Sequence, residues 1–241
     1  MIARWLCEAA PMMGIALTPD MREQFALYHR LMIEGNAQAN LTRIVDAREV
    51  VDRHFLDSLG MLAQPGLVKH GASLIDIGSG AGLPGVPLLI ARPDLCVTLC
   101  DAQIKRVRFL EKIKGELGLS YAIVHARAED IAKKGEYRDR FDIATARAVA
   151  STPTLMEWLL PFVAIGGLAI GYKGRESKKE KAEALLIVNM LGAAFLRDFG
   201  YNVPGRNWER VLLVAQKHAG TPQNFPRKAG IAQKSPIIGE K

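Results

Sequence analysis

Three observations predict an α/β fold built on a mostly parallel sheet. From residue 73 onward, short apolar runs alternate with amphipathic stretches of helical length, the pattern produced by right-handed strand–helix–strand crossovers. The first run, Leu74-Ile75-Asp76-Ile77, breaks into Gly78-Ser79-Gly80-Ala81-Gly82-Leu83-Pro84-Gly85, after which residues 86–91 are again apolar. Strand, glycine-rich turn and helix in that order describe a Rossmann-like sheet, where a ligand approaches bare backbone at a helix N-terminus. At the far end, residues 196–203 and 210–216 read as two strands joined by a Pro/Gly/Asn turn. That pair adds one antiparallel strand and brings the expected sheet to seven strands.

A chain of 241 residues, 49% hydrophobic, can bury one sizeable core. Three parts are expected: a helical N-terminal extension over 1–70 packed on the core, a ligand-binding domain over 71–217, and a basic, Pro-containing tail over 218–241. The net charge of +7 suggests a polyanionic partner. More than half of that excess lies after residue 215, in Lys217, Arg227, Lys228, Lys234 and Lys241 against Glu240. The tail lacks periodicity and reads as a solvated terminus. Cys7, Cys96 and Cys100 are too few and too widely spaced for a disulfide framework or a C-x-x-C metal site. Cys96 and Cys100 fall in an apolar segment and are expected to be buried and free. Arg4, Glu8 and Pro11 interrupt the N-terminal apolar content, against a signal peptide. With no long apolar run to span a membrane, the expectation is a cytoplasmic monomer.

In the extension, Thr18-Pro19-Asp20 offers N-cap chemistry to a helix over 21–34, with Phe25, Tyr28, Leu31 and Met32 at helical spacing. Gly35-Asn36 reads as its end. Helical stretches follow over 46–55 and 57–62, and His54 with Asp57 reads as a cap or surface pair ahead of a substrate role. Beyond the glycine loop come a strand over 94–100, an amphipathic helix over 103–117, and a strand over 120–125. Next are a strand over 141–145, a helix over 155–163, a strand over 167–172 after the Gly166-Gly167 turn, and one helix over 177–195.

The candidate site collects at the strand ends. A dinucleotide fingerprint, G-x-G-x-x-G, would need glycine where Leu83 stands. With Asp76 before the loop and Asp101 ending the second strand, the arrangement looks like that of S-adenosylmethionine-dependent methyltransferases. Glycine at 78 and 80 lets backbone come close to a ligand, and Asp101 can accept from two ribose hydroxyls. Ala128 and Glu129, after the third strand, stand where an adenine-facing turn would lie. Glu129 could equally serve the dipole of the helix it opens. Arg147, after the fourth strand, stays protonated and cannot be a base. It can hold phosphate or carboxylate, hydrogen-bond a purine's acceptor edge, or form a structural ion pair. Lys105, Arg106, Arg108 and Lys173 could meet a phosphate backbone alongside Arg227 and Lys228 of the tail, or be solvated surface charges. No metal site is expected.

Taken together, Asp76–Gly85, Asp101 with Lys105-Arg-Val-Arg-Phe-Leu110, Ala126-Arg-Ala-Glu129, Thr145-Ala-Arg-Ala148 and Tyr172-Lys173-Gly174 resemble the bacterial small-subunit rRNA guanine-N7 methyltransferases, the glucose-inhibited division protein B family. Asn40-Leu-Thr42, His54-Phe-Leu-Asp-Ser-Leu59 and the tail Thr221-Pro…Phe225-Pro-Arg-Lys-Ala-Gly230 extend the resemblance over nearly the whole chain. The resemblance implies a class I Rossmann-like methyltransferase. It would methylate N7 of one guanine in 16S rRNA near the decoding region, with 16S rRNA or the small ribosomal subunit as partner. It also implies S-adenosyl-L-methionine held at positions matching Gly78, Leu83, Ala128, Glu129 and Arg147. Phe225 stands where that family usually has tyrosine, which leaves stacking but no hydroxyl.

Overall fold

The computed structural model describes residues 1–174 and 177–239, so Glu240 and Lys241 of the basic tail lie outside the described residues. Its centre is one mixed sheet in the order β3-β2-β1-β4-β5-β8-β6, with β7 also against β8. The strands are β1 Ser73–Ile77, β2 Cys96–Asp101, β3 Ala122–His125, β4 Phe141–Arg147 and β5 Val163–Lys173, followed by β6 Ala193–Phe195, β7 Phe199–Tyr201 and β8 Arg210–Lys217. The first five pair in parallel, and β8 alone runs the other way. β6 pairs with one end of β8 and β7 with the other, so two short strands share one edge. Leu196 N–H still donates to Val214 O across the gap between them. Eight strands therefore fill the seven positions expected.

Strand order reverses between β1 and β4, which places the crevice of a doubly wound sheet at their carboxyl ends. Alternation along β1 sends Leu74 to one layer and Ile75 and Ile77 to the other. The first layer contains α1 (Ile2–Ala9), α2 (Pro19–Ala39), α5 (Gly85–Ala91) and α6 (Ile104–Glu116). The second contains α8 (Thr152–Leu159), α10 (Leu185–Met190) and Phe225 of the tail. The N-terminal helices thus share a core with the sheet. Tyr28 of α2, fully buried, donates its hydroxyl to Ala81 O in the glycine loop.

Several boundaries differ from the sequence reading. Thr18 does cap α2 by accepting from Met21 N–H, but the helix runs through Gly35 and ends at Asn40 in the left-handed region (φ 47°). Gly35 is a crossing point instead, since a Cβ there would lie 2.7 Å from the Phe109 ring of α6. The stretches at 46–55 and 57–62 form one helical run: α3 (Ala47–Val50), a wide π turn (Val51–Leu56) and α4 (Asp57–Leu59). Pro161 falls in a tight turn (Leu160–Phe162) after α8, and Val163 already opens β5. The single helix expected over 177–195 is α9 (Ser177–Glu183), α10 and then strand β6. Cys96, the first residue of β2, is exposed; only Cys100 of the pair is buried.

The tail is not a loose solvated end. Thr221, Phe225 and Ala232 are buried, and a short helix, α11 (Ile231–Lys234), closes against α8 through Thr154 Oγ1, which donates to Ala232 O at 2.9 Å. The reason is polar as much as apolar. Arg138 donates to Thr221 O, Pro222 O and Phe225 O at 2.7–3.0 Å, and Arg227 forks onto the buried Glu157 carboxylate at 2.6–3.1 Å.

Candidate active site

β1 ends in a loop whose geometry glycine makes possible. Gly78 sits at φ 70°, and a Cβ there would lie 2.8 Å from the Val149 side chain that follows β4. Any larger residue would have to displace the Val149 side chain and would fill the space where the two loops meet. Asp76, fully buried, accepts from Gly85 N–H at 3.0 Å across the loop, and its other oxygen has no protein partner. Burial pushes its carboxyl up to about 7 despite that hydrogen bond.

Two cavities meet at Gly78. The larger, about 540 Å³, is lined by Gly78, Gly80, Leu83, Arg147 and the loop 148–150 on one side. Its other walls include Leu41, His54, Asp57, Tyr172, Lys173 and Arg210. Among the described residues, five cationic side chains (Arg53, Arg106, Arg147, Lys173 and Arg210) line it against the one carboxylate of Asp57. The smaller, about 130 Å³, is bounded by Ile77, Gly78, Asp101, Ala102, Ala128, Glu129 and Trp158, with Gln233 from the tail.

β4 continues two residues beyond expectation, so Arg147 is its last residue and Ala148 turns the chain at φ 57°. Arg147 donates from Nη1 to Asp57 Oδ2 at 3.1 Å and to the carbonyls of Arg53 and His54 at 3.1 and 3.4 Å. Those carbonyls belong to the π turn, and that of His54 also accepts from Asp57 N–H and the Ser58 hydroxyl. Asp57 Oδ1 accepts from the Tyr201 hydroxyl at 2.9 Å and lies 2.8 Å from Arg210 Nε. The buried carboxylate is thereby fully compensated, and the guanidinium plane of Arg147 is fixed at the cavity wall.

His54 and Asp57 are not a surface pair. The imidazole Nε2 is 2.8 Å from Thr42 Oγ1, while Asp57 is turned to the arginines. Burial, aided by the Arg147 charge, holds His54 down to about 4, so the ring is neutral at neutral pH.

At the end of β2, Asp101 accepts from Gly80 N–H at 2.9 Å and from Gln103 N–H at 2.8 Å. Arg106 Nη1 lies 3.6 Å from it. Arg106 therefore turns toward the crevice and not outward with its neighbours, whereas Lys105 and Arg108 are exposed on α6. Glu129, on the short helix Ala128–Ile131 (α7), is buried and accepts from Gly230 N–H of the tail at 3.0 Å. Lys173 donates to Glu180 at 2.7 Å and to Ala150 O at 3.0 Å, bracing the loop after β4. Of the six cations expected on a phosphate-binding face, Lys105, Arg108 and Lys228 are exposed. Arg106, Lys173 and Arg227 are engaged with carboxylates. For Arg227 the solvent-facing expectation is wrong, because the buried Glu157 requires a charge partner.

Asp57, Arg210, Trp158 and Gln233 escaped the sequence reading as site residues. All of them depend on how distant segments fold back, Asp57 through Arg147, Arg210 and Tyr201. The residues fit a nucleoside with a charged extension. A carboxylate at the end of β2 faces the small cavity, the indole Nε1 of Trp158 is buried without a partner, and the bare backbone at Gly78 joins the two cavities.

The family model described as rRNA small subunit methyltransferase G matches residues 21–195. A "Ribosomal RNA small subunit methyltransferase G" of Leuconostoc citreum is 44% identical over 226 residues, 93% of this chain and 94% of its own. One of the same description from Limosilactobacillus reuteri is 41% identical over 227 residues, 93% of this chain and 94% of its own. Among solved structures, a SAM dependent methyltransferase from Aquifex aeolicus superposes with a TM-score of 0.50 at 15% identity, covering 69% of this chain and 92% of that one. At that identity the likeness is one of fold.

Proposed function

The chain belongs to the rRNA small subunit methyltransferase G family, and on that premise we propose that it transfers a methyl group from S-adenosyl-L-methionine to N7 of one guanine in 16S rRNA, near the decoding region. The rRNA methyltransferase assignment follows the relatives named above, which carry that description. The observation that carries the finer reading is Arg147, a permanent cation at the carboxyl end of β4, in a cavity where, among the described residues, the carboxylate and the imidazole are both engaged. Asp57 is committed to Arg147, Arg210 and Tyr201, and the neutral His54 is tied to Thr42.

A ring nitrogen with an in-plane lone pair suits such a site, because it attacks without first losing a proton. The bound cofactor supplies an electrophilic methyl on a sulfonium. The chain supplies placement. Asp101 would hold the ribose hydroxyls, Ala128 and Glu129 the adenine, and Gly78, Gly80 and Leu83 the methionine end. Arg147, clamped by Asp57 and the π turn, can donate to guanine O6 while leaving N7 free. Repulsion between the sulfonium and the cations of the cavity, Arg147 among them, is relieved where phosphate arrives to balance them, which favours a polyanionic substrate over a neutral small molecule. Positioning and exclusion of water then account for the rate. The exposed Lys105 and Arg108 on α6 extend the cationic surface toward RNA, and the substrate places the protein with the small ribosomal subunit in the cytoplasm.

The test is to incubate 16S rRNA and small subunits from a strain lacking this protein with enzyme and methyl-labelled cofactor, then map the label. Label at one guanine that becomes sensitive to reduction and aniline scission, as N7-methylguanosine is, is expected. Label on a pyrimidine, on an exocyclic amine or on no RNA at all overturns the proposal.

A further inference from the structure

We propose that the C-terminal segment 225–235 is a wall of the adenine pocket and that Gln233 is a specificity-determining contact for the adenine ring. The inference rests on the methyltransferase reading, since adenine enters as part of that cofactor. Gln233 lines the small cavity together with Asp101, Glu129 and Trp158. It comes from the tail, which is tied to α7 through Gly230 N–H and Glu129, so the tail completes a pocket begun by the strand ends.

The segment is held there by several independent contacts. Gly230 N–H donates to Glu129 Oε1, Arg227 is forked on Glu157, a carboxylate 1% exposed, and Thr154 holds the Ala232 carbonyl. Upstream, Arg138 gathers three tail carbonyls. Releasing the segment would strand the Glu157 charge in the core and unpair one oxygen of Glu129, which costs far more than a surface contact returns. Gln233 itself carries no structural burden: its side chain is exposed.

The chemistry matches the base. A carboxamide presents a donor and an acceptor side by side, the pattern that pairs with the amine and N7 of adenine and mismatches hypoxanthine, whose O6 and N7 are both acceptors. Because the same segment holds Glu129, tail docking and cofactor binding are linked, and each must strengthen the other by the same factor.

The test is calorimetry on the full chain with S-adenosylhomocysteine and S-inosylhomocysteine, in which the purine amine is replaced by a carbonyl. Wild-type protein is expected to prefer the adenosyl compound by about tenfold or more, the worth of one bidentate purine contact. Gln233→Ala should weaken the adenosyl compound by a similar factor, leave the inosyl compound nearly unchanged, and keep the wild-type melting temperature. A collapse of the ratio at constant stability is an outcome that a merely structural role does not give. An unchanged ratio in Gln233→Ala, with wild-type protein still discriminating, overturns the inference and leaves the methyltransferase reading intact. No binding of either compound by wild-type protein overturns both.

Discussion

The two cavities that meet at Gly78 are built on opposite principles. The smaller is walled by carboxylates, Asp101 and Glu129, and closed by a tail that buried charge pairs hold down. The larger is open at its mouth and lined by five cations, with one carboxylate to hold them in place. Acceptors in a confined space select a ligand rich in hydroxyl and amine donors, and they do so by geometry. A cationic mouth draws in phosphate from a distance and discriminates little by itself. One chain can therefore fix its cofactor by fit and collect its substrate by charge, provided the charges on each side do not leak to the other. Arg106 stands at the divide: it lines the large cavity and lies 3.6 Å from Asp101 of the small one.

Four variants break this division at different points. Arg147→Ala should have the largest effect, lowering kcat more than a hundredfold, because it removes the positioning cation and strands the buried Asp57 beside a single remaining arginine. Turnover near wild type would dismiss Arg147 from the reaction. Asp101→Ala comes next and should act on the small cavity alone. Calorimetry should show cofactor affinity reduced by about ten- to a hundredfold, as expected for two charge-assisted hydrogen bonds, while RNA affinity in a filter-binding assay is unchanged. The double variant Lys105→Ala/Arg108→Ala should do the reverse. Its RNA affinity should fall several-fold and the slope of log affinity against log salt should flatten by roughly 1.4, two phosphate contacts on a single strand. A wild-type slope would take α6 out of the RNA face.

The smallest effect is on stability and concerns pH. Asp76 has a carboxyl raised to about 7 by burial, so the stability it contributes is present in acid and is lost as pH rises from about 4 to 7. His54 is lowered to about 4, so the unfolded chain takes up its proton first, and stability is lost as pH falls from 6.5 to 4. The two slopes oppose each other in the same window and largely cancel. Asp76→Asn, which keeps an oxygen for Gly85 N–H, should leave the His54 slope exposed. Denaturant titrations between pH 4 and 7 should then show stability rising with pH more steeply than in wild type. Identical slopes would mean that Asp76 titrates normally.

Much of the sheet could be read from residue order alone, because buried parallel strands need apolar runs and the loops between them need glycine or proline. The loop 78–85, Asp101 and Arg147 followed from that reading, as each ends a strand whose position the pattern fixes. What escaped depends on contacts between distant segments. Gly35 looked like a helix stop because only the fold brings Phe109 against it. The edge beside β8 looked like one strand because nothing local announces that Leu196 bridges two short ones. The tail looked solvated because its anchors, Arg138 and Glu157, lie far back in the chain. For that reason, deleting residues 219–241 is expected to weaken cofactor binding, and not only the RNA affinity that its charge would suggest.

The π turn at Val51–Leu56 has a consequence for how this helix can change. A wide turn holds one residue more than the regular pitch allows, so its register is a matter of chain length as well as of side chains. Removing Val51 would let the segment relax to 3.6 residues per turn, closing the wide turn while α3 and α4 keep their relative phase. Every side chain of the site would still be present in such a chain, and Asp57 would still be joined to Tyr201. The backbone partners of the Arg53 and His54 carbonyls would shift by one residue, and two of the three acceptors of Arg147 would move without any residue of the site having been substituted. At this position an alignment gap should be read as a change in function even where every motif is intact.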